Sequence, residues 1–140
     1  MSEASAVEVA LAFVAKINAH DVDGVVALLS SDHVFIDGLG SIFRGAEQMR
    51  SGWKTYLAWF PDYAIEVTEQ FSRRDAVGLF GKARGTFAVN GKLPRENSWE
   101  IPAAWRAVVR NGRVAEWQVY CDNDPARKIM AVNSGKKPGA

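Results

Sequence analysis

The chain has 140 residues, 48% of them hydrophobic and 11% aromatic, which suits one domain (residues 1–130) with a single core, followed by a disordered polar tail (131–140). The net charge of +1 at pH 7 argues against a nucleic acid or a membrane surface as partner, because both bind clustered Lys and Arg. The single cysteine, Cys121, excludes an intramolecular disulfide. We expect a cytoplasmic protein, because the sequence shows no signal-type segment and no apolar run near the roughly 20 residues that span a membrane.

Three helices are predicted in the first half of the chain. Apolar residues recur at helical spacing from Ser5 to Ala19, and a short amphipathic helix follows over residues 22–29, capped by Asp21. The polar cluster at residues 30–32 is expected to end that helix. A third helix is predicted from about residue 44 to 60, where a Pro-Asp pair stops it.

The rest of the chain has the alternating pattern of strands. A short strand, 33–37, precedes the third helix, and four longer ones follow at about residues 63–71, 76–87, 98–110 and 113–122. Glycines at positions 78, 81 and 85 are expected to bend the second long strand. Helices followed by an antiparallel meander predict an α+β fold in which the helices cover one face of a curved sheet.

One stretch resembles a known family. The motif Asn-Ala-x-Asp-x-Asp-Gly-Val-Val-Ala-Leu at 18–28, followed by Asp-x-x-Phe-x-Asp at 32–37, is similar to the opening of delta-5-3-ketosteroid isomerases. More loosely, it resembles the nuclear transport factor 2-like superfamily, which includes SnoaL-type polyketide cyclases and limonene epoxide hydrolases. The resemblance implies a cone-shaped, curved antiparallel sheet packed against three N-terminal helices, the ketosteroid isomerase or cystatin-like α+β barrel.

Asp37 is the leading catalytic candidate. Its place before a Gly-rich turn is typical of a turn-capping aspartate, whereas the resemblance implies the general base of the isomerases at this point of the motif. The same resemblance puts the family's oxyanion tyrosine at Phe13, which has no hydrogen-bond donor, and a second donor near residues 103–105, which contain no acid. Without those donors, the family's known dienolate chemistry is not expected to be efficient.

Three further polar residues have alternative interpretations. His33 either lies at the mouth of a pocket or is a half-exposed histidine at the start of a strand. Asp122, two residues after Tyr120, resembles the final-strand acid or base of SnoaL-type cyclases, but it equally fits a turn leading into Asn-Asp-Pro. His20, in the corner between the first two helices, is interpreted as structural or solvated. With two histidines and one cysteine we expect no metal site, and nothing indicates a cofactor.

The aromatic residues indicate the ligand. The chain has five tryptophans and several other aromatic side chains, most of which are expected in the core. A subset of them is predicted to line a concave apolar site. The substrate-binding candidates are Phe13, His33, Phe35, Trp53, Tyr56, Phe60, Trp105, Trp117 and Tyr120. They suggest a small hydrophobic cyclic ligand of steroid, terpenoid or polyketide type.

Two functions from different classes follow. The first is an isomerase, cyclase or hydratase that uses Asp37 as general base; the second is a non-catalytic ligand-binding or association module of the same fold. The epoxide hydrolase arrangement is weakened, because residues 79–81 are Leu-Phe-Gly where Arg-x-Asp is required. We also expect a homodimer through the convex sheet face, which is predicted to carry Trp99 and Ile101.

Overall fold

The computed structural model describes residues 5–134. They form four helices and one six-stranded sheet, with a single 3₁₀ turn at Arg95–Asn97. In chain order the elements are α1 (Ala6–Asn18), α2 (Val22–Ala27), β1 (Leu29–Ile36), β2 (Ile42–Arg44), α3 (Ala46–Trp59), β3 (Ala64–Arg73), β4 (Ala76–Thr86), β5 (Ser98–Arg110), β6 (Arg113–Cys121) and α4 (Asp124–Val132). None of the helices within this part of the chain is long and apolar enough to cross a membrane.

The first two helices begin where their capping residues predict. Ser5 Oγ accepts a hydrogen bond of 3.1 Å from the Glu8 backbone N–H, in the Ser-x-x-Glu pattern of a capping box. Asp21 Oδ1 likewise accepts from Gly24 N at 2.9 Å and caps α2. His20 sits in the corner between the helices with φ of 56°, and its Nε2 lies 2.8 Å from the Tyr63 carbonyl oxygen. These contacts agree with the structural interpretation of His20.

The sheet confirms the predicted α+β class. Its strands lie in the order β2-β1-β6-β5-β4-β3, and the long strands β3 to β6 pair antiparallel in sequence order. Strand β1 runs parallel to β6, which makes the sheet mixed at that edge. Asn111 and Gly112, with φ of 53° and 73°, form the two-residue turn between β5 and β6 that the Asn-Gly pair predicts.

Gly81 marks the point where β3 and β4 come closest. A Cβ at this position would lie 1.8 Å from the Glu66 carbonyl oxygen, so only glycine fits. The pairing of the two strands shifts register between Val67 and Glu69, as at a β-bulge. Glycine and bulge together bend the sheet here, and the curved sheet leaves a concave face for the helices.

Several boundaries differ from the sequence prediction. The cluster at 30–32 belongs to β1 and does not end α2, because the helix stops at Ala27 and the chain enters the sheet at Leu29. The short strand β2 and the helix α4 were not predicted. Helix α4 covers the first residues of the tail expected over 131–140, because it extends to Val132, and Asn133 after it is buried. The part of that tail from 135 lies outside the described residues.

The predicted face of the sheet for Trp99 and Ile101 was wrong. Both side chains are buried on the concave face, together with Ala103, Trp105 and Ala107 at alternate positions of β5. The convex face carries a row formed by Phe80, Ala104 and Tyr120, which are paired across β4, β5 and β6. Alternation separates the two faces of a strand but does not say which one meets the helices.

Candidate functional site

A cavity of about 530 Å³ lies between the concave face of the sheet and helices α3 and α4. Its walls are mainly apolar and include ten aromatic residues: Phe35, Phe43, Trp53, Tyr56, Trp59, Phe60, Tyr63, Trp99, Trp105 and Trp117. The list includes all five tryptophans of the chain. A cavity of this volume matches the size of sites that enclose a small organic molecule.

The aromatic walls are held in place by contacts between the rings. Trp105 and Trp117 stack with centroids 6.5 Å apart, and Phe60 meets Trp99 edge-on at 5.2 Å. Tyr56 meets Tyr63 at 5.0 Å with an interplanar angle of 89°. Offset and edge-to-face pairs are the preferred arrangements of aromatic rings, so the walls are preorganised.

Asp37 is both a turn residue and part of the cavity wall. Its Oδ1 accepts hydrogen bonds of 2.9 Å from Leu39 N and Ser41 N, and its carbonyl oxygen accepts from Gly40 N at 3.0 Å. Gly40 has φ of 84°, so the hairpin between β1 and β2 closes with a left-handed glycine. Within residues 5–134, Asp37 is the one carboxylate that lines the cavity. The two interpretations of Asp37 are therefore compatible.

Phe13 and Ala103, at the positions of the two family oxyanion donors, have side chains of carbon only. Phe13 is fully buried under the cavity, where its ring packs 4.8 Å from Trp117 and 6.5 Å from Trp53. Ala103 lines the cavity from β5, and the neighbouring Ala104 faces outward. The side chains of Phe13 and Ala103 donate no hydrogen bond, and Trp105, the last residue of the 103–105 range, has an indole N–H but no acid.

The polar groups deeper in the cavity are neutral. Burial raises the pKa of Tyr56, and it raises the pKa of Tyr63 well above the ordinary range, so both hydroxyls keep their protons. Burial also raises the pKa of the Cys121 thiol, whose Sγ lies 3.2 Å from Asn123 Oδ1. The interior thus offers weak, uncharged hydrogen-bonding groups among aromatic rings.

Helix α4 supplies a part of the wall that sequence reasoning missed. Asn123, at its start, and Ala126, Arg127 and Met130 all line the cavity. A Cβ on Gly38 would lie 3.0 Å from Asn123 Nδ2, so the start of α4 packs directly against the Asp37 turn. Pro125, in the first turn of the helix, was a usable signal, because proline is favoured there.

The family follows from the sequence. The family model described as a SnoaL-like domain matches residues 10–117. The chain belongs to the SnoaL-like family. No curated protein matches the sequence significantly.

Solved structures share the fold of this SnoaL-like domain. IdmH, a candidate polyketide cyclase from Streptomyces antibioticus, is 22% identical with a TM-score of 0.75, over 91% of this chain and 99% of its own. A candidate SnoaL-like polyketide cyclase from Shewanella denitrificans is 14% identical with a TM-score of 0.77, over 91% and 97% of the two chains. A protein with a ketosteroid isomerase-like fold from Catenulispora acidiphila, solved with trimethylamine, is 18% identical with a TM-score of 0.70, over 81% and 84%.

Most of the predicted binding residues of this SnoaL-like domain lie together. Phe35, Trp53, Tyr56, Phe60, Trp105 and Trp117 line the cavity. His33 does not reach it, because it is 1% exposed and packs against β6, where its Nδ1 lies 2.8 Å from the Val114 carbonyl oxygen. A carbonyl only accepts, so Nδ1 carries the proton. The histidine is neither half-exposed nor at the mouth.

Tyr120 and Asp122, like the buried Phe13, lie outside the cavity wall. Tyr120 is 52% exposed on the convex face of the sheet, opposite the cavity. Asp122 is exposed, and its Oδ1 accepts a hydrogen bond of 2.9 Å from Asp124 N, as in the turn that the sequence offered as its alternative role. Residues 5–134 hold no cluster of three His, Cys, Asp or Glu side chains placed to bind a metal ion.

Proposed function

We propose that the cavity binds a small hydrophobic cyclic molecule and that Asp37 acts as a general base on it. One observation carries the proposal: within the described chain, Asp37 is the one acidic residue that lines an apolar cavity rich in aromatic rings. Aromatic walls with few polar groups are the usual design of a site for an apolar ligand. A carboxylate that lines such a cavity lies beside an apolar ligand bound there.

The geometry of Asp37 suits proton transfer. Two backbone N–H groups hold Oδ1, and they fix the carboxylate without protonating it. The second oxygen, Oδ2, can take a proton from a carbon next to a ligand carbonyl while the C–H electron pair moves to the carbonyl oxygen. The resulting enolate then regains a proton at another carbon, which isomerises the ligand, or attacks a second carbonyl, which closes a ring. A general base of this kind contributes about 10²–10⁴-fold to the rate.

The names of the structural neighbours are consistent with this chemistry. Two of the structures with the same fold are described as candidate polyketide cyclases. The identities of 14% and 22% support only the fold, so the ligand class rests on the cavity itself. We therefore propose a cyclic ketone of polyketide, steroid or terpenoid type as the ligand, with isomerisation, cyclisation or hydration as the reaction.

The second candidate function is ligand binding without catalysis. It is favoured by the carbon-only groups at Phe13 and Ala103, which leave the enolate oxygen without the two donors of the isomerases. Loss of one such donor in other enzymes costs about 10²–10³-fold in rate. A SnoaL-like domain that retained the cavity and lost the donors would bind its ligand and release it unchanged.

Ligand binding is testable by the protein's own fluorescence, because all five tryptophans line the cavity. Titration with a panel of bicyclic and tricyclic ketones is expected to shift or quench the emission with saturation. The Asp37→Asn variant should retain binding, since the aromatic walls carry the affinity in either candidate function. If no member of the panel changes the emission of the wild-type protein, the proposed ligand class is wrong.

We also propose that the protein is a homodimer through the convex face of the sheet. This face exposes Phe71, Phe80 and Tyr120, which form one apolar strip with a groove. Charges of both signs border it in pairs, Lys82 with Glu100 and Arg106 with Glu116. A surface with an apolar centre and charges of both signs at its rim can pair with a second copy of itself about a two-fold axis.

A further inference from the structure

The cavity mouth holds one charge of each sign. Asp37 lies on the β1–β2 turn, and Arg127 lies on α4, one helical turn after Asn123. Both residues line the cavity, and Gly38 packs against Asn123, so the two elements meet at one edge of the opening. The two side chains do not form an ion pair with each other.

Arg127 has no carboxylate partner among residues 5–134. Its neighbour on the helix, Lys128, is paired with Asp124 at 2.9 Å. The described lining contains no lysine and no second arginine, so the guanidinium is the one cation that the cavity presents to a ligand. An arginine carries five N–H donors and keeps its charge at every physiological pH.

Helix α4 holds Arg127 in a defined place. At its far end, Asn133 Nδ2 donates to Asn97 Oδ1 at 3.1 Å, and both side chains are buried. Ala126 is buried against the core, and Met130 lines the cavity beside it. The backbone of Arg127 is therefore fixed relative to Asp37, and only its exposed side chain is left to turn.

We propose that Arg127 binds the oxygen on which negative charge develops and so replaces the missing oxyanion donors of this SnoaL-like domain. This inference rests on the proposed function of Asp37. When Asp37 takes a proton from the carbon next to a carbonyl, the C–H electron pair moves to the carbonyl oxygen. That oxygen then accepts a hydrogen bond from the guanidinium. Arg127 thus selects ligands that carry an ionisable carbonyl system at one end of an apolar ring.

The inference is tested by comparing two ligands with the same ring. A phenyl-substituted cyclic β-diketone is an enolate anion at neutral pH, and its enol methyl ether is neutral. Tryptophan fluorescence titrations give the dissociation constant of each. Arg127→Gln should weaken binding of the enolate about tenfold and of the ether less than twofold, because only the anion gains from a charged donor. A higher salt concentration should weaken binding of the enolate and leave binding of the ether unchanged.

Lys128→Gln is the matched control, since it removes the adjacent cation of α4, which is not part of the cavity wall. It should leave both dissociation constants within twofold of wild type. If the wild-type protein binds the ether but not the enolate, or if Arg127→Gln affects both ligands equally or neither, Arg127 has no oxyanion role while the proposed ligand site stands. If the wild-type protein binds neither ligand, the proposed function fails and this inference fails with it.

Discussion

The buried amide pair at the end of α4 provides the sharpest stability prediction. Asn133 Nδ2 donates to Asn97 Oδ1 at 3.1 Å and to the Ile129 carbonyl at 2.8 Å, while Asn97 Nδ2 donates to the Phe87 carbonyl at 3.1 Å. Asn97 and Asn133 are 4% and 6% exposed. The pair therefore ties α4, and with it one wall of the cavity, to the connection between β4 and β5.

Asn133→Ala removes this tie without filling the space. It leaves Asn97 Oδ1 buried without its donor, which costs about 1–3 kcal/mol for a buried polar group. The Ile129 carbonyl oxygen still accepts a hydrogen bond of 3.2 Å from the Asn133 backbone N–H. Removal of the Asn133 side chain therefore costs less free energy at this carbonyl than at Asn97 Oδ1. For a chain of this length, about 1 kcal/mol lowers the melting temperature by about 4 °C. We expect a decrease of about 4–12 °C.

The assay is thermal and urea unfolding of a double-mutant cycle, with Asn133→Ala, Asn97→Ala and both together. The coupling free energy between the two sites should be about 0.5–1.5 kcal/mol, because one shared hydrogen bond is lost only once in the double variant. Ser134→Ala, at the exposed neighbouring position, is the control and should melt with the wild type. Additive effects of the two substitutions, or a melting temperature of Asn133→Ala within about 1 °C of wild type, would refute the reasoning.

Two further predictions concern stability at low pH and assembly. Burial lowers the pKa of His33, although the hydrogen bond with the Val114 carbonyl opposes this shift. As the pH falls, His33 is therefore protonated in the unfolded chain at a higher pH than in the folded one, and the free energy of unfolding should decrease below about pH 6.5. Urea unfolding between about pH 7.5 and about pH 5 measures how the free energy of unfolding changes with pH. In His33→Gln this pH dependence should be smaller than in the wild type, and an unchanged pH dependence would rule out His33 as its source. Phe80→Glu places a charge in the middle of the convex strip and should convert the proposed dimer to monomer in sedimentation velocity, whereas Leu93→Glu, at an exposed site outside the strip, should not. A wild-type monomer at micromolar concentration would contradict the dimer.

Local patterns in the sequence predicted most of the fold. The helical spacing of apolar residues from Ser5 placed α1, and Asp21 placed the start of α2, because each signal lies in neighbouring residues. The motif at residues 18–37 indicated the family that the sequence match then showed. Asp37 was found from that motif, since the turn pattern alone describes an ordinary capping aspartate.

Features that depend on distant contacts were missed. Strand β2 has three residues, too few for a periodic pattern, and it forms because β1 offers a free edge. Helix α4 follows a run of turn-forming residues that hides its start. Its place on the cavity depends on the contact between Asn97 and Asn133, 36 residues apart. The burial of His33 depends on the Val114 carbonyl, 81 residues away.

The central claim, that Asp37 removes a proton from a ligand in the cavity, is tested most directly by hydrogen exchange. A cyclic ketone that binds the protein is incubated in heavy water, and NMR follows deuterium entering at the carbon next to the carbonyl. The wild-type protein should accelerate this exchange over buffer, and Asp37→Asn should lose the acceleration by about a hundredfold or more. Asp32→Asn, which removes an exposed carboxylate on β1, should keep it. Exchange that is equally fast in Asp37→Asn, or no acceleration by a wild-type protein that has bound the ketone, would contradict the claim.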